Sequence, residues 1–417
     1  MHSRVRAVLL AGAALVALTP SSGVAALAAH RAPAMSHAGD QGLTWSVVPS
    51  PNRKANPPEN QLLGVTCLSA TSCTAVGYGA KKDPNTTLVE PKTLVERWNG
   101  TAWSIVSSPN RAGLDELQGV SCVSARACTA VGLSAASPKS RSSYRTLIET
   151  WNGTAWSIVP SPNPGTGQGN FLYGVSCVTA AFCAAVGHFG ACCTAREKPI
   201  TEIWNGSSWS VAPNPPKQAN ADLTSVSCVS ATACTAVGSH HRVTPPARGT
   251  LVESWNGSSW AVVPSPDAGT DDHNSLAGVS CTSVTACTAV GSYTDTGLVP
   301  PAEQTLAESW NGSSWSVVPS PDLGTSEDNV LQGVSCASPT SCIAVGAASH
   351  GSIADTLIEV WNGTTWSAVP SLVTTNIASF LRGVSCPSVS MCMAAGARLA
   401  TEASPLRTLT VLGTSSG

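Results

Sequence analysis

The chain has little charge: Asp, Glu, Lys and Arg make up 11% of its 417 residues, and the formal net charge is −2. That argues against recognition of nucleic acid or an anionic membrane through a basic face. Aromatic residues other than Trp are scarce, with four Tyr and four Phe. A copper-radical oxidase needs clustered Tyr and His, and the four Tyr fall in different repeats. G-x-S-x-G, H-E-x-x-H and a phosphate-cradling glycine loop are all missing, so the common hydrolase, zinc-protease and nucleotide-binding signatures are absent. The arginines show no repeat-regular placement that would supply the Arg triad of a sialidase. After Leu18 no apolar run reaches the ~18–20 residues that a membrane span requires, and no cofactor is expected.

What is present points to β-structure. Helix formers other than Ala are few, while Val, Ser, Thr and Gly abound. Disorder is excluded by a hydrophobic content of 42% and by thirteen Trp. The N-terminus reads as a secretion signal. His2–Arg6 is basic, Ala7–Leu18 is an apolar run of twelve, and small residues follow at Ala25, Ala26, Ala28 and Ala29. The expected divisions are a signal over 1–29, a linker over 30–42, a single domain over 43–413 and a tail over 414–417. An extracellular location follows.

Fourteen of the sixteen Cys form pairs with five residues between partners: Cys67/Cys73, Cys122/Cys128, Cys177/Cys183, Cys228/Cys234, Cys281/Cys287, Cys336/Cys342 and Cys386/Cys392. In a secreted chain this reads as a disulfide framework stapling short hairpins, because structural zinc uses tighter CxxC knuckles. Cys192 and Cys193 stand outside the pattern. They leave open a vicinal disulfide, free thiols, a bridge to another chain, or metal ligation.

The pairs belong to a repeat, L-x-G-V-S-C-x5-C-T-A-V-G, a variable loop, T-L-x-E-x-W-N-G-S-S-W-S-V-V-P-S-P, and a second variable loop. It starts near Leu62, Leu117, Leu172, Leu223, Leu276, Leu331 and Leu381. Each unit offers four short strands: a (GVSC), b (CTAVG), c (TLxExW) and d (SWSVV). The Asn-Gly between c and d predicts a type I′ hairpin, with positive φ at both central residues. Four antiparallel strands make a propeller blade. The last repeat lacks strand d, and an orphan strand d, Leu43–Pro51, opens the domain. Pairing the two closes a ring and removes two raw edges. The predicted fold is therefore an all-β, seven-bladed propeller. Its blades run near 62–110, 117–163, 172–214, 223–267, 276–322, 331–371, and 381–413 with 43–51.

The Gly-rich hairpin followed by a c–d hairpin with an aromatic on each side resembles the kelch-type propellers, with AVG where a kelch strand has a double glycine. The paired Cys and W-N-G-x-x-W are more similar still to uncharacterised bacterial secreted repeat proteins. What the resemblance implies is a scaffold, with no shared activity.

Residues present in every repeat belong to the ring. The paired Trp are read as packing rather than as sugar platforms. The strand-c glutamates Glu96, Glu149, Glu202, Glu253, Glu308 and Glu359 are read as carboxylates bonded to a neighbouring blade, with Val411 in their place in the last. Asn-Gly-Ser/Thr is also a glycosylation sequon, but the turn accounts for it.

Strand order puts the a–b and c–d turns on one face and all long irregular loops on the other. Binding residues concentrate on such loops. Candidates there are His188, Arg196, His240, His241, Arg242, Asp272, His273, Tyr293 and His350. His188, Cys192, Cys193, His240 and His241 are the candidates for a zinc or copper site, should the loops converge. The acidic loops SPDAGTDD and SPDLGTSED raise calcium, yet fail EF-hand spacing. Three functions stay open: a binding scaffold for a glycan, peptide or cell-surface partner, an extracellular hydrolase, lyase or oxidase, and a structural envelope module. A monomer is expected, with no nucleic-acid partner.

Overall fold

The computed structural model describes residues 42–53, 58–82, 89–111, 113–136, 143–165, 167–190, 197–215, 220–243, 246–269, 273–324, 327–350, 353–370, 378–399 and 405–415. These form seven four-stranded antiparallel sheets. Blade 1 is β2 (Pro58–Ser69), β3 (Ser72–Lys82), β4 (Val89–Trp98) and β5 (Trp103–Val106), in spatial order. Blades 2 to 6 repeat that order. Blade 7 pairs β26 (Ser379–Ser388), β27 (Met391–Leu399) and β28 (Leu406–Ser415) with β1 (Leu43–Val48).

The ring is closed. β1 runs antiparallel to β28, with Trp45 opposite Gly413 and Val47 opposite Val411. Trp45 and Leu409 share one apolar cluster. Elsewhere the strand-c residue in the position of Gly413 is Trp, as at Trp98 opposite Cys73. A Cβ on Gly413 would come within 2.9 Å of the Trp45 ring, so glycine leaves room for it.

The innermost strands β2, β6 (Leu114–Ser124), β10 (Gly169–Thr179), β14 (Ala221–Ser230), β18 (Asn274–Ser283), β22 (Asn329–Ser338) and β26 touch in sequence, and β26 touches β2 again. Their backbones approach most closely at the glycine of L-x-G. A Cβ on Gly119 would lie 2.6 Å from the Tyr173 carbonyl, and one on Gly383 3.3 Å from Gly64 Cα. The residue before each glycine is a bulge, as the register shift between Leu117 and Gly119 shows.

The seven Cys pairs are disulfides: Cys67–Cys73, Cys122–Cys128, Cys177–Cys183, Cys228–Cys234, Cys281–Cys287, Cys336–Cys342 and Cys386–Cys392. Each joins residues of the a–b hairpin, and such a set belongs to an oxidising, non-cytoplasmic compartment. Cys192 and Cys193 lie outside the described residues, as does the expected signal segment. No helix among the described residues is long and apolar enough to cross a membrane.

Three local features go beyond or against the sequence reading. The first concerns the cysteines, which staple the a–b hairpins as expected and also enter the core. The second Cys of every pair is a core residue: Cys73, Cys128, Cys183, Cys234, Cys287, Cys342 and Cys392 are 1–6% exposed. Cys183 packs with Val131 and Trp209, and Cys234 with Trp255 and Trp260. Cys342 packs with Val290 and Trp366, and Cys392 with Trp45. The cause is placement on strand b, which lies between strands a and c and has a neighbouring blade over its face. These sulfurs are therefore part of the packed scaffold.

The second concerns the c–d turn, which is not type I′: Gly100 has φ +99°, but Asn99 does not reach positive φ. Trp98 and Trp103 pair directly, so the loop is four residues, Asn99–Ala102. Asn99 Oδ1 accepts from Thr101 N, Thr101 Oγ1 and Ala102 N at 2.9 Å each. The side chain thus organises the loop from an ordinary backbone conformation. The third concerns length, because the strands outrun the alternating runs. β6 spans 11 residues where the repeat offers GVSC, and β28 reaches Ser415, past 413. Backbone pairing carries a, b and c into the variable segments, where side chains give no alternation to read.

The six c–d Trp pairs have ring centroids 5.6–5.8 Å apart. The strand-c Trp donates Nε1–H to a carbonyl of its own a–b turn, as Trp98 does to Ala70 O at 3.0 Å. These bonds tie the two monotonous turns together on one face and put the loops on the other. Each strand-c glutamate is fully buried.

Candidate functional site

The long-loop end of the ring is where blades differ. Two positions per blade flank the invariant frame there: the residue before the Leu of L-x-G on strand a, and the residue after AVG on strand b. They pair directly: Gln61 with Tyr78, Glu116 with Leu133, Phe171 with His188, Asp222 with Ser239 in blades 1 to 4. Blades 5 and 6 hold Ser275 with Ser292 and Val330 with Ala347. A third variable position is the bulge itself, which carries Gln118, Tyr173, Gln332 and Arg382 in blades 2, 3, 6 and 7. Polar and aromatic groups therefore face the axis from several blades, and blades 5 and 6 fill the paired positions with Ser, Val and Ala.

Blades 6, 7, 1 and 2 contribute an axial group. Arg382 Nη1 donates to Gln332 Oε1 at 3.3 Å, and its guanidinium lies 5.0 Å from the Phe380 ring. Gln118 Nε2 donates to Glu116 Oε2 at 3.1 Å. Burial pushes the Glu116 carboxyl up to about 7, with the Gln118 bond opposing. Burial also pushes the Tyr78 phenol well above its ordinary value; Glu116 and Glu59 add to this and Arg382 opposes it. Burial lowers Arg382 from its ordinary value, and Tyr78 opposes that. Glu116 is thus poised for proton exchange near neutrality, whereas Tyr78 is a poor general base.

Blades 3 and 4 contribute a second group. Phe171 stacks 4.8 Å from His188, and Tyr173 and Tyr144 lie 6.5 and 5.2 Å from Phe171. His188 is buried, and neither ring nitrogen has a hydrogen-bond partner. Burial lowers its basicity, opposed by the charges of Glu197 and Asp222. Asp222 Oδ1 accepts from Ser239 Oγ at 2.6 Å and from Arg248 Nη2 at 3.3 Å. Arg248 Nε also bonds Ser239 Oγ at 2.8 Å. Burial, then Arg248, lowers the basicity of exposed His241, while Asp222 and Glu197 raise it and His273 lowers it. Glu197, Asp222 and His241 present ligand atoms all within 4.8 Å of one another.

One backbone residue fixes this second group. Asn220 is the only non-glycine with positive φ (66°) among the described residues. Its N–H donates to Glu197 O and its C=O accepts from His241 N, both at 2.7 Å. Blade 3 and blade 4 are joined through it.

Among the sequence candidates, His188 and His241 both feel the charges of Glu197 and Asp222, and His273 acts on His241. His240 does not join them. Its neighbour His241 points the other way along the strand, and His240 Nδ1 donates to Thr250 O at 3.0 Å, beside Gly249. Tyr293 packs against the core of blade 5, under the influence of Asp322 and Asp295. Arg242 and His350 lie in β15 (Ala233–Val243) and β23 (Ser341–His350), opposite Ala247 and Ile353. Arg196, Asp272, Cys192 and Cys193 lie outside the described residues. Asp267 and Asp322 of the acidic loops each accept from a strand-c Thr amide at 2.8 Å. That gives these two aspartates a structural use.

Sequence reading passed over Tyr78, Glu116, Phe171, Tyr173, Glu197, Asp222, Arg248 and Arg382. Most of them stand inside long strands rather than in loops. The signal that finds the strand-a and strand-b members is register: align the repeats on Leu and AVG, then read the adjoining positions.

No protein-family model matches the chain, and no curated protein matches it. Solved structures share the fold. YCF48 bound to D1 peptide aligns with a TM-score of 0.53 and 11% identity, over 92% of this chain and 99% of that one. The GH74 xyloglucanase from Xanthomonas campestris aligns at 0.51 and 12% identity, over 88% of this chain and 55% of that one. A PL25 ulvan lyase aligns at 0.51 and 10% identity, over 82% and 90%.

Proposed function

We propose that the protein is a secreted binding propeller that holds an extended extracellular polymer, glycan or peptide, on its long-loop face across blades 1 to 4. The observation that carries this reading is the uneven filling of equivalent positions. Blades 1 to 4 place Tyr78, Glu116, Phe171, His188 and Asp222 where blades 5 and 6 place Ser, Val and Ala and blade 7 places Phe380 opposite Ala397. The titratable members of the set, Tyr78, Glu116, His188 and Asp222, fall in blades 1 to 4 alone. Half-buried Tyr173 offers an amphipathic surface of the kind that sugars and peptide side chains stack on. Relatives in fold point the same way by name: one is bound to a peptide, and two are named for polysaccharides. The signal over 1–29 would deliver the chain outside the cell, the closed ring suits a monomer, and the low charge leaves nucleic acid without a purchase. Kinship with kelch-type repeats rests on the hairpin pattern.

A second reading, an extracellular lyase or hydrolase, rests on Glu116 alone, whose carboxyl near 7 sits among Tyr78 and Arg382.

Screening the mature protein against extracellular glycans and peptides, followed by calorimetry, tests both. Binding is expected, with Tyr173→Ala weakening it at least tenfold and leaving the melting temperature within a few degrees. Polymer cleavage that Glu116→Gln abolishes would establish the second reading. A screen and pull-down with no hit would sink both and favour a structural envelope module.

A further inference from the structure

We propose that Glu197, Asp222 and His241, with His188 as a fourth donor, bind a divalent transition ion of the zinc class between blades 3 and 4. The proposal is independent of the polymer reading. Three donors already converge, each within 4.8 Å of the others. Tetrahedral zinc with bonds of about 2.0–2.1 Å needs donor separations of roughly 3.3 Å. Exposed His241 and half-exposed Glu197 have the freedom to close that gap.

His188 supplies the second, independent observation. It is 6% exposed and both ring nitrogens lack partners. Leaving such a group unsatisfied costs about 1–3 kcal/mol. Its nitrogens lie outside the 4.8 Å group, near enough for the charges of Glu197 and Asp222 to act on the ring, so a turn of the imidazole is needed to bring it to the ion.

Supporting contacts are in place as well. Ser239 and Arg248 both bond Asp222 Oδ1 and fix the carboxylate, as the outer contacts of metal ligands do. Asn220 anchors the backbones of Glu197 and His241 together. Against one guanidinium, two carboxylates leave a net negative charge for the ion. Imidazole with carboxylate suits zinc, and the paired carboxylates alone would have suited calcium. Donors come from both blades, so the ion would clip them.

The test is calorimetric titration of chelator-stripped full-length mature protein with zinc chloride, beside thermal melts with and without zinc. One zinc per chain and a raised melting temperature are expected. Glu197→Gln and His241→Ala should each weaken binding at least tenfold. His188→Phe should do so while preserving the aromatic stack. Replacing Cys192 and Cys193 by Ser should leave the affinity unchanged. Absence of stoichiometric binding would overturn the proposal, as would binding lost only in the Cys variant. Zinc affinity undiminished in His188→Phe would remove His188 from the site.

Discussion

Ser50 donates its hydroxyl to Glu96 Oε2 at 2.6 Å, and that bond crosses from blade 7 to blade 1. The same latch recurs as Ser108–Glu149, Ser161–Glu202, Ser265–Glu308 and Ser320–Glu359, always from one blade to the next. The Ser of the P-S-P motif and the Glu of T-L-x-E are thus two halves of one contact. Glu253 lacks it, because Asn214 stands in the Ser position and bonds Thr201 and Pro199 instead.

These carboxyls predict a pH dependence. Burial raises Glu96, Glu202 and Glu359 to about 8, and Glu149, Glu253 and Glu308 to about 7; the serine bonds oppose this at every one but Glu253. Between the ordinary value of 4.5 and the folded value, the native state keeps protons that the unfolded chain has lost. Stability therefore falls as pH rises through that window. From pH 6.5 to 8 the unfolding free energy should drop by several kcal/mol, at roughly 1.4 kcal/mol per group per pH unit while that group stays protonated in the fold, and level off above that. Denaturant melts across this range check it, and Glu202→Gln should flatten the slope. A stability that rises with pH there would refute the account.

Ring closure predicts the cost of opening it. Trp45→Ala removes a core side chain at the seam and should destabilise by about 3–5 kcal/mol. Gly413→Val should be comparably damaging, because its Cβ meets the Trp45 ring. Deleting 42–48 bares the edge of β28 and should convert a monodisperse chain into aggregates on size-exclusion chromatography.

The axial glycines predict a contrast between blades. Gly119→Ala forces a Cβ to 2.6 Å from the Tyr173 carbonyl and should cost about 2 kcal/mol or more. Blade 4 already carries Ser225 at the equivalent place, so Ser225→Ala should cost about 1 kcal/mol, the value of its bond from Val279 N. Thermal melts of the two variants decide it.

Each disulfide closes a loop with a sequence separation of 6, the short end of the range. Replacing Cys122 and Cys128 by Ala together should cost only about 2 kcal/mol. Full reduction should remove much more. Melts with and without reductant measure both, and a single pair that unfolds the ring would contradict the short-loop estimate.

Much of the fold was legible because the scaffold is written seven times. Trp98, Trp151 and their equivalents, the Cys pairs, and the split between Leu43–Val48 and the last repeat recur or fail in register, and repetition isolates what packing requires. The c–d turn was misread because Asn99 supports its loop through Oδ1 rather than through its own φ, which a dipeptide cannot reveal. Burial of Cys183, Cys234, Cys342 and Cys392 went unseen for a related reason, since a spacing shows which sulfurs meet and not what covers them.

The site was less legible. His188, His241 and His273 stood out as titratable residues in irregular segments, but Asp222, Glu116 and Arg382 look like ordinary strand residues. The amino-acid sequence on its own determined a closed ring of seven sheets and the face that varies, since both follow from local period, turn chemistry and the strand missing from the last repeat. Only the tertiary structure decided that Glu197 of blade 3 meets His241 of blade 4, and that His240 turns away from it. Such meetings depend on how neighbouring sheets twist and abut, a relation between segments that no single repeat encodes.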